Sequence, residues 1–293
     1  MRRRYFVFQN ILTNFAHKIA FAGGLYKSWK KPLKKEKKAQ IFGYIGNFSY
    51  LCGGIIPVPM AEDKQIVVFT GAGVSAESGL GTFRDADGLW EKYRIEDVCT
   101  HEAWLRNPQL CVDFYNARRR DTLAAQPNAA HLAIARLQAH FPDTQIITQN
   151  IDDLHERAGT RNVLHLHGEI TKLRSDLNET ATVPLQGWEQ HYGDRHPDGS
   201  LLRPYIVFFG EGVPYFPRAC EIAGTADVFI VVGTSLNVYP AASLLEYVPL
   251  TTPVYFIDPG MPEFGIYRDR ITHIRKKASE GVPEVVEMLI KQL

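Results

Sequence analysis

Five short clusters of residues could do chemistry if the fold brings them together. His167 stands just before Gly168 and just after the run Val163-Leu164-His165-Leu166. A histidine with an ordinary pKa of about 6.5 can take a proton near neutral pH. His165, two residues earlier on the same strand face, is its decoy, and either could be a satisfied core histidine instead. In Thr148-Gln149-Asn150-Ile151-Asp152, an amide and a carboxylate follow another apolar run. They could orient a ligand or cap the next helix, with Asp153 the purer cap. Gly71-Ala72-Gly73-Val74-Ser75-Ala76 matches the spacing G-x-G-x-x-G/A. Such a turn lets backbone approach a pyrophosphate, whose charge a following helix N-terminus would stabilise. Alone the pattern is weak, because tight strand–helix turns use glycine anyway. Gly233-Thr234-Ser235 is a second glycine turn after an apolar run. Tyr115 and Arg118, three apart on a predicted helix, share a face. A phenol beside a guanidinium can grip a carboxylate. The plainer reading puts Phe114 and Tyr115 in the core and 118–120 in a solvated charge run.

The elements that must position these groups are legible as short apolar runs. Residues 65–70, 146–148, 163–165, 205–209, 228–232 and 254–257 read as strands. Near-continuous apolar strands imply a parallel sheet covered on both faces. Helical patterns lie at 108–123, 128–140, 241–247 and 283–293. The alternation, with a glycine turn after the first strand, predicts a doubly wound, Rossmann-like α/β fold. A histidine at a strand's C-terminal end then faces the ligand crevice of the sheet. Residues 169–202 are polar and without strand periodicity, and read as a small inserted module or long loop.

The glycine turn continues to Arg84, and the full run GAGVSAESGLGTFR resembles the NAD-binding signature of the sirtuins, the NAD-dependent protein-lysine deacylases. TQNID at 148–152, Leu166-His167-Gly168 and Gly233-Thr234-Ser235 agree with that family in its order. The likeness covers about 65–285 and is strongest to the bacterial CobB type, including Asp87-Gly88-Leu89-Trp90 and Phe114-Tyr115-Asn116-Ala117-Arg118.

The resemblance implies an enzyme with NAD as cofactor and acyl-lysine proteins or peptides as substrates. It implies catalytic roles for His167, Asn150 and Asp152. It places the cofactor on Gly71, Ala72, Gly73, Ser75, Ala76, Phe83, Arg84, Trp90, Gln149, Asn150, Ile151, Asp152, Gly233, Thr234, Ser235, Asp258 and Ala278. Asp258 stands where the family usually has Asn. The acyl oxygen would attack C1′ of NAD as nicotinamide leaves, with His167 as base toward the ribose hydroxyls. The products would be free lysine, nicotinamide and 2′-O-acyl-ADP-ribose. Tyr115 and Arg118 resemble the pair that binds the distal carboxylate of succinyl- or malonyl-lysine in the class III type, with Ala86 leaving room for the acyl chain. Residues 208–211 and 237–239 resemble two strands that flank a substrate peptide. The alternatives are a mono-ADP-ribosyltransferase or a non-catalytic NAD-binding module on the same scaffold. A dehydrogenase would share the glycine turn but not the rest.

The sequence departs from the family at one point. The cysteines are Cys52, Cys99, Cys111 and Cys220, so none lies between His167 and Cys220, where most sirtuins carry a four-cysteine zinc site. A thiolate zinc site is excluded there. His191 and His196 read as solvated, no metal is expected, and 169–202 should be held by packing alone.

Charge divides the chain. Of 33 basic and 32 acidic residues, residues 1–59 hold 11 basic and one acidic, a net of +10, which leaves −9 for residues 60–293. An acidic body should repel phosphate and is no nucleic-acid binder. The basic stretch carries none of the motifs. It reads as an extension outside the catalytic domain of 60–293, ahead of a targeting segment or a membrane contact. Gly and Pro interrupt its uncharged part, 39–61, too often for a membrane span. The expected location is the cytoplasm, and the sequence does not specify an oligomeric state.

Overall fold

The computed structural model describes residues 64–81, 93–236, 238–261 and 269–293. The expectations for residues 1–59, Phe83, Arg84, Ala86, Trp90 and Asn237 lie outside the described residues.

The described chain begins with β1 (Ile66–Thr70), followed by two 3-10 turns, Ala72–Val74 and Ala76–Ser78. Helices α1 (Ile95–Val98), α2 (His101–Arg106), α3 (Pro108–Ala124) and α4 (Ala129–His140) come next. Then follow β2 (Gln145–Thr148), α5 (Leu154–Arg157), β3 (Val163–His165), β4 (Gly168–Ser175), β5 (Thr182–Pro184) and β6 (Leu202–Ile206). The chain continues through α6 (Phe216–Ala223), β7 (Val228–Val232), a 3-10 helix (Ala241–Tyr247), β8 (Val254–Ile257), β9 (Ile271–Ile274) and α7 (Ala278–Gln292).

Six strands form a parallel sheet in the order β3-β2-β1-β7-β8-β9. Alternation along β1 feeds both faces. Ile66 and Val68 pack with Ile134 and Leu137 of α4 and Val282 and Val285 of α7. Val67 and Phe69 pack with Ala219 of α6 and Leu244 and Leu245 of the 3-10 helix. Each Val, Leu, Ile or Phe among them contributes about 1.5–3 kcal/mol on full burial. The fold is therefore the doubly wound α/β arrangement that the alternation predicts.

The strand order reverses between β1 and β7, and that switch point fixes where a ligand crevice opens. Register aligns the strand ends there. Thr70 pairs with Thr148 and with Val232, Thr148 with His165, and Val232 with Ile257. Gly71, Gln149, Leu166, Gly233 and Asp258 thus all leave the sheet at one edge.

Three sequence expectations are corrected. The run 205–209 is not a strand of the parallel sheet. Its first two residues end β6, which belongs to a separate antiparallel sheet in the order β5-β4-β6. Phe208 packs instead against Trp104 and Tyr115 in a third core between the α1–α3 helices and β4 and β6. The polar segment 169–202 contributes β4 and β5 to that sheet. It is not held by packing alone: buried Arg119 of α3 donates to the carbonyls of Ile170 and Trp188, each at 2.7 Å. Finally, α7 starts five residues before Pro283, because the Glu77 carboxylate accepts from the Ser279 N–H and hydroxyl at its first turn.

Among the described residues, no helix is long and apolar enough to cross a membrane.

Candidate active site

The glycine turns after β1 and β7 interlock. A Cβ on Gly71 would lie 2.7 Å from the Thr234 Cβ, and one on Gly73 2.7 Å from the Gly233 Cα. Gly233 itself adopts φ +59. The glycines are thus required where the two turns press together at the switch point. The helix N-terminus expected to follow the turn is not there: residues 72–78 make two separate 3-10 turns. An anion at this edge would meet single backbone N–H groups rather than a helix dipole.

Beside these turns, the segment 149–152 carries a polar knot. Ser75 Oγ accepts from Asn150 Nδ2 and donates to Asp152 Oδ2, both at 3.0 Å. Asp152 Oδ1 accepts from the Leu154 N–H at 3.2 Å. Asp153 thus holds the N-cap position of α5 without a side-chain cap bond, the capping acceptor coming from Asp152, and Asp153 Oδ1 lies 3.5 Å from Arg157 Nη1. Burial raises the Asp152 carboxyl, an effect opposed by the Leu154 and Ser75 hydrogen bonds and by the charge of His165. Gln149 Nε2 donates to Thr234 Oγ1 at 3.0 Å and ties this segment to the β7 turn.

His167 follows β3 and precedes β4. Gly168 has φ +88, and a Cβ there would strike the Tyr205 carbonyl, so β4 can lie on β6 only with glycine after the histidine. The Nδ1–H of His167 donates to the Gln149 carbonyl at 2.9 Å. A carbonyl only accepts, so the proton is fixed on Nδ1 and Nε2 keeps its lone pair. Burial lowers the pKa of the half-buried ring, partly offset by that carbonyl, so the base form predominates at neutral pH. His165 is placed differently: its Nδ1 faces the Asn150 carbonyl and its Nε2 the Glu156 carboxylate, each at 2.9 Å.

One cavity of about 720 Å³ joins these groups. Gly71, Ala72, Gly73, Ser75, Ala76, Gln149, Asn150, Ile151, Asp152, His167, Gly233, Thr234, Ser235, Asp258 and Ala278 all line it. Tyr115 and Arg118 line it too. The Tyr115 hydroxyl donates to Cys99 Sγ at 3.5 Å, within a wall that includes Phe114 and Phe208. Burial pushes the Tyr115 phenol well above its usual range and keeps it protonated. Arg119, read as part of a solvated run, is fully buried and faces the antiparallel sheet instead. One Asp258 oxygen accepts from the Gly260 N–H at 2.7 Å.

The expected peptide-flanking strands are absent as strands. Phe209 pairs through its N–H with the Cys99 carbonyl and through its carbonyl with the His101 N–H. On the other side, the Val238 carbonyl already accepts from the Ala242 N–H. Both segments still border the cavity, with Phe209 and Tyr239 exposed there.

Sequence reasoning missed the support beneath the site. Thr70 Oγ1 donates to Thr148 Oγ1 at 2.8 Å and meets His155 Nε2 at 3.0 Å, and Thr148 Oγ1 accepts from the Asn150 N–H. Burial holds both His131 and His155 well below the ordinary histidine range, His131 at about 4, and both are neutral. Polar residues closing apolar strands were the available signal.

Fold and cavity together define a doubly wound α/β protein with a nucleotide-sized site at its switch point. Residues 71–240 match the Sir2 family. An NAD-dependent protein deacylase of Bacteroides thetaiotaomicron is 49% identical over 233 residues, 78% of this chain and 98% of that protein. One of Escherichia coli is 42% identical over 248 residues, 80% of this chain and 86% of its own length. Among solved structures, a Sir2 homolog–NAD complex is similar with TM-score 0.70 and 39% identity, covering 78% of this chain and 90% of that one. A Sir2 variant with a deacetylated p53 peptide and 3′-O-acetyl-ADP-ribose aligns at TM-score 0.64 and 30% identity, covering 76% and 93%. The chain belongs to the Sir2 family.

Proposed function

We propose that this protein is an NAD-dependent protein-lysine deacylase of the cytoplasm that removes acetyl and also succinyl or malonyl groups. The observation that carries this reading is His167. It is a neutral histidine with its Nε2 lone pair available, in the same cavity as the Ser75–Asn150–Asp152 knot and the interlocked glycine turns.

The cavity fits NAD on its own features. Its volume suits a dinucleotide, and the switch-point glycines leave backbone along one wall. Gly71, Ala72, Gly73, Ser75, Ala76, Gly233, Thr234, Ser235, Asp258 and Ala278 would hold the nucleotide, joined by Phe83, Arg84 and Trp90. When bound, NAD supplies an electrophilic ribose carbon with nicotinamide as leaving group. Asn150 and Asp152 would orient that end of the cofactor, their side chains fixed through Ser75. His167 Nε2 would accept a proton from a ribose hydroxyl. The products of this reading are free lysine, nicotinamide and 2′-O-acyl-ADP-ribose.

Tyr115 and Arg118 would bind the distal carboxylate of a succinyl or malonyl group. A protonated phenol and a guanidinium on one cavity wall supply the donors. The Tyr115 hydroxyl gives up only a weak sulfur contact to do so. The peptide would lie between 207–211 and 238–240, held more by side-chain contact than by strand pairing. Residues 168–206 would keep their shape without zinc, since they carry no cysteine and are locked by Arg119.

Nicotinamide release from NAD with acetyl-, succinyl- and malonyl-lysine peptides tests the reading. Release matched mole for mole by deacylated peptide is expected. Release without deacylation, with a mass gain on protein, would indicate ADP-ribosyl transfer. Binding of NAD without release would reduce the protein to a cofactor-binding module.

A further inference from the structure

The mechanism above uses His167 and leaves His165 unassigned. We propose that His165 and Glu156 form a charged clamp that positions the Asn150–Asp152 segment, with His165 carrying a proton on both ring nitrogens during turnover.

The geometry requires this. His165 Nδ1 lies 2.9 Å from the Asn150 carbonyl oxygen, and Nε2 lies 2.9 Å from Glu156 Oε1. A carbonyl and a carboxylate both accept only, and a neutral imidazole has one N–H. Both contacts are hydrogen bonds only for the imidazolium. The ring is 7% exposed, so water does not substitute for either partner. His167 provides the internal contrast: it meets one carbonyl, that of Gln149, and needs one proton.

The surroundings agree. Burial opposes charge on His165, but Glu156 on α5, the Asn150 carbonyl and Glu169 on β4 more than offset it, and the net direction is upward. His155 on α5 also faces His165, and burial keeps it neutral. Asp152 feels the His165 charge, which works against the upward push of burial on its carboxyl. The clamp thus does two things. It pins the Asn150 peptide, whose side chain reaches Ser75, and it favours the ionised form of Asp152. Because the folded value is raised, the clamp is intact below the ordinary histidine range and lost as pH rises through the raised value.

This inference deepens the reading of Asn150 and Asp152 given above, and its first test does not depend on that reading. Long-range proton–nitrogen spectra of the nitrogen-15-labelled full chain report the charge of each imidazole from pH 6 to 9. The His165 signals are assigned by their loss in His165→Asn. Imidazolium shifts on both His165 nitrogens at pH 7.5 are expected, beside a neutral His167. In Glu156→Gln, the His165 titration should move down by about one unit, and the alkaline limb of nicotinamide release should move with it. His165→Asn keeps one N–H for the Asn150 carbonyl but no charge. It should lower kcat on the order of tenfold and lose that limb, with the KM for NAD little changed.

A neutral His165 at pH 7.5 overturns the proposal. So does a Glu156→Gln protein whose ring titration and pH profile coincide with those of the unaltered chain. Should His165→Asn not fold, Glu156→Gln still decides, since that side chain is 40% exposed. Absence of nicotinamide release from the unaltered protein would sink the deacylase reading, while the spectra would still decide the charge of His165.

Discussion

The parallel sheet and the three-stranded module beside it are held together by different materials. Every residue of β1 and β7 is buried, and the side chains are hydrocarbon apart from Thr70. The module 168–206 has a smaller apolar share, the buried Ile170, Leu173, Leu202 and Ile206. Its hold comes from polar groups taken out of water. Arg119 bonds Ile170, Trp188 and Asn116, and Asn116 both donates to and accepts from the Gln190 backbone. Arg203, 1% exposed, meets Glu211 through two nitrogens and lies 4.0 Å over the Phe208 ring. Helix α3 sits between the two materials. One side sends Tyr115 and Arg118 to the cavity, and the other sends Asn116 and Arg119 to the module. The difference teaches that a module can be held by a polar lock, with a dependence on protonation that hydrocarbon lacks.

That comparison can be broken in several ways. The largest effect is expected from Arg119→Met, which takes the guanidinium donors from the Ile170 and Trp188 carbonyls and one of the two donors from Asn116 Oδ1, and should cost about 3 kcal/mol. By thermal denaturation that is roughly 10 °C for a domain of this size. Ile230→Val in the sheet should cost about 0.5–1.5 kcal/mol and the same amount at pH 5 and pH 8. If Arg119→Met costs no more than Ile230→Val, the module is not held by its polar lock.

A second effect separates the two regions by pH. Burial would raise the Glu211 carboxyl, but Arg203 more than offsets it and holds it below the ordinary range. Hydrogen bonds from Ser200 likewise hold the Asp198 carboxyl below its ordinary range. Groups with lowered folded values contribute stability above about pH 4.5 and lose it as pH falls through those values. Pepsin digestion stepped from pH 4.5 to 2.5 should therefore cut first within 168–206. Simultaneous loss of sheet and module would contradict this.

A further variant tests the cavity side of α3. Tyr115→Phe with Arg118→Met should raise the KM for succinyl-lysine peptide at least tenfold and leave acetyl-lysine little changed. An equal loss on both substrates would show that the pair supports the fold instead. The smallest expected effect is none: a strong chelator should leave the melting temperature unchanged. A fall of several degrees would mean that a metal holds the module after all.

The same contrast explains what could be read in advance. Residues 228–232 and 254–257 were legible as strands because a covered strand is apolar along its length, a property local in sequence. The residues at their C-terminal ends were legible as site candidates because the switch-point rule places them. Residues 205–209 look alike but belong to the antiparallel sheet and the third core, since an apolar run does not say which sheet or core buries it. The early start of α7 and the support of the module escaped because their partners are far apart. Glu77 caps Ser279 across 202 residues, and Arg119 reaches Trp188 across 69. Nor does any spacing reveal that His165 would face two acceptors where His167 faces one.

The central claim is that His167 acts as the base in an NAD-dependent deacylation. Substituting His167→Ala and measuring deacylation of a succinyl-lysine peptide, with NAD binding followed by calorimetry, tests it most directly. The account predicts a loss of turnover of at least about a hundredfold with the dissociation constant for NAD changed little. Turnover within a few-fold of the unaltered enzyme would contradict it.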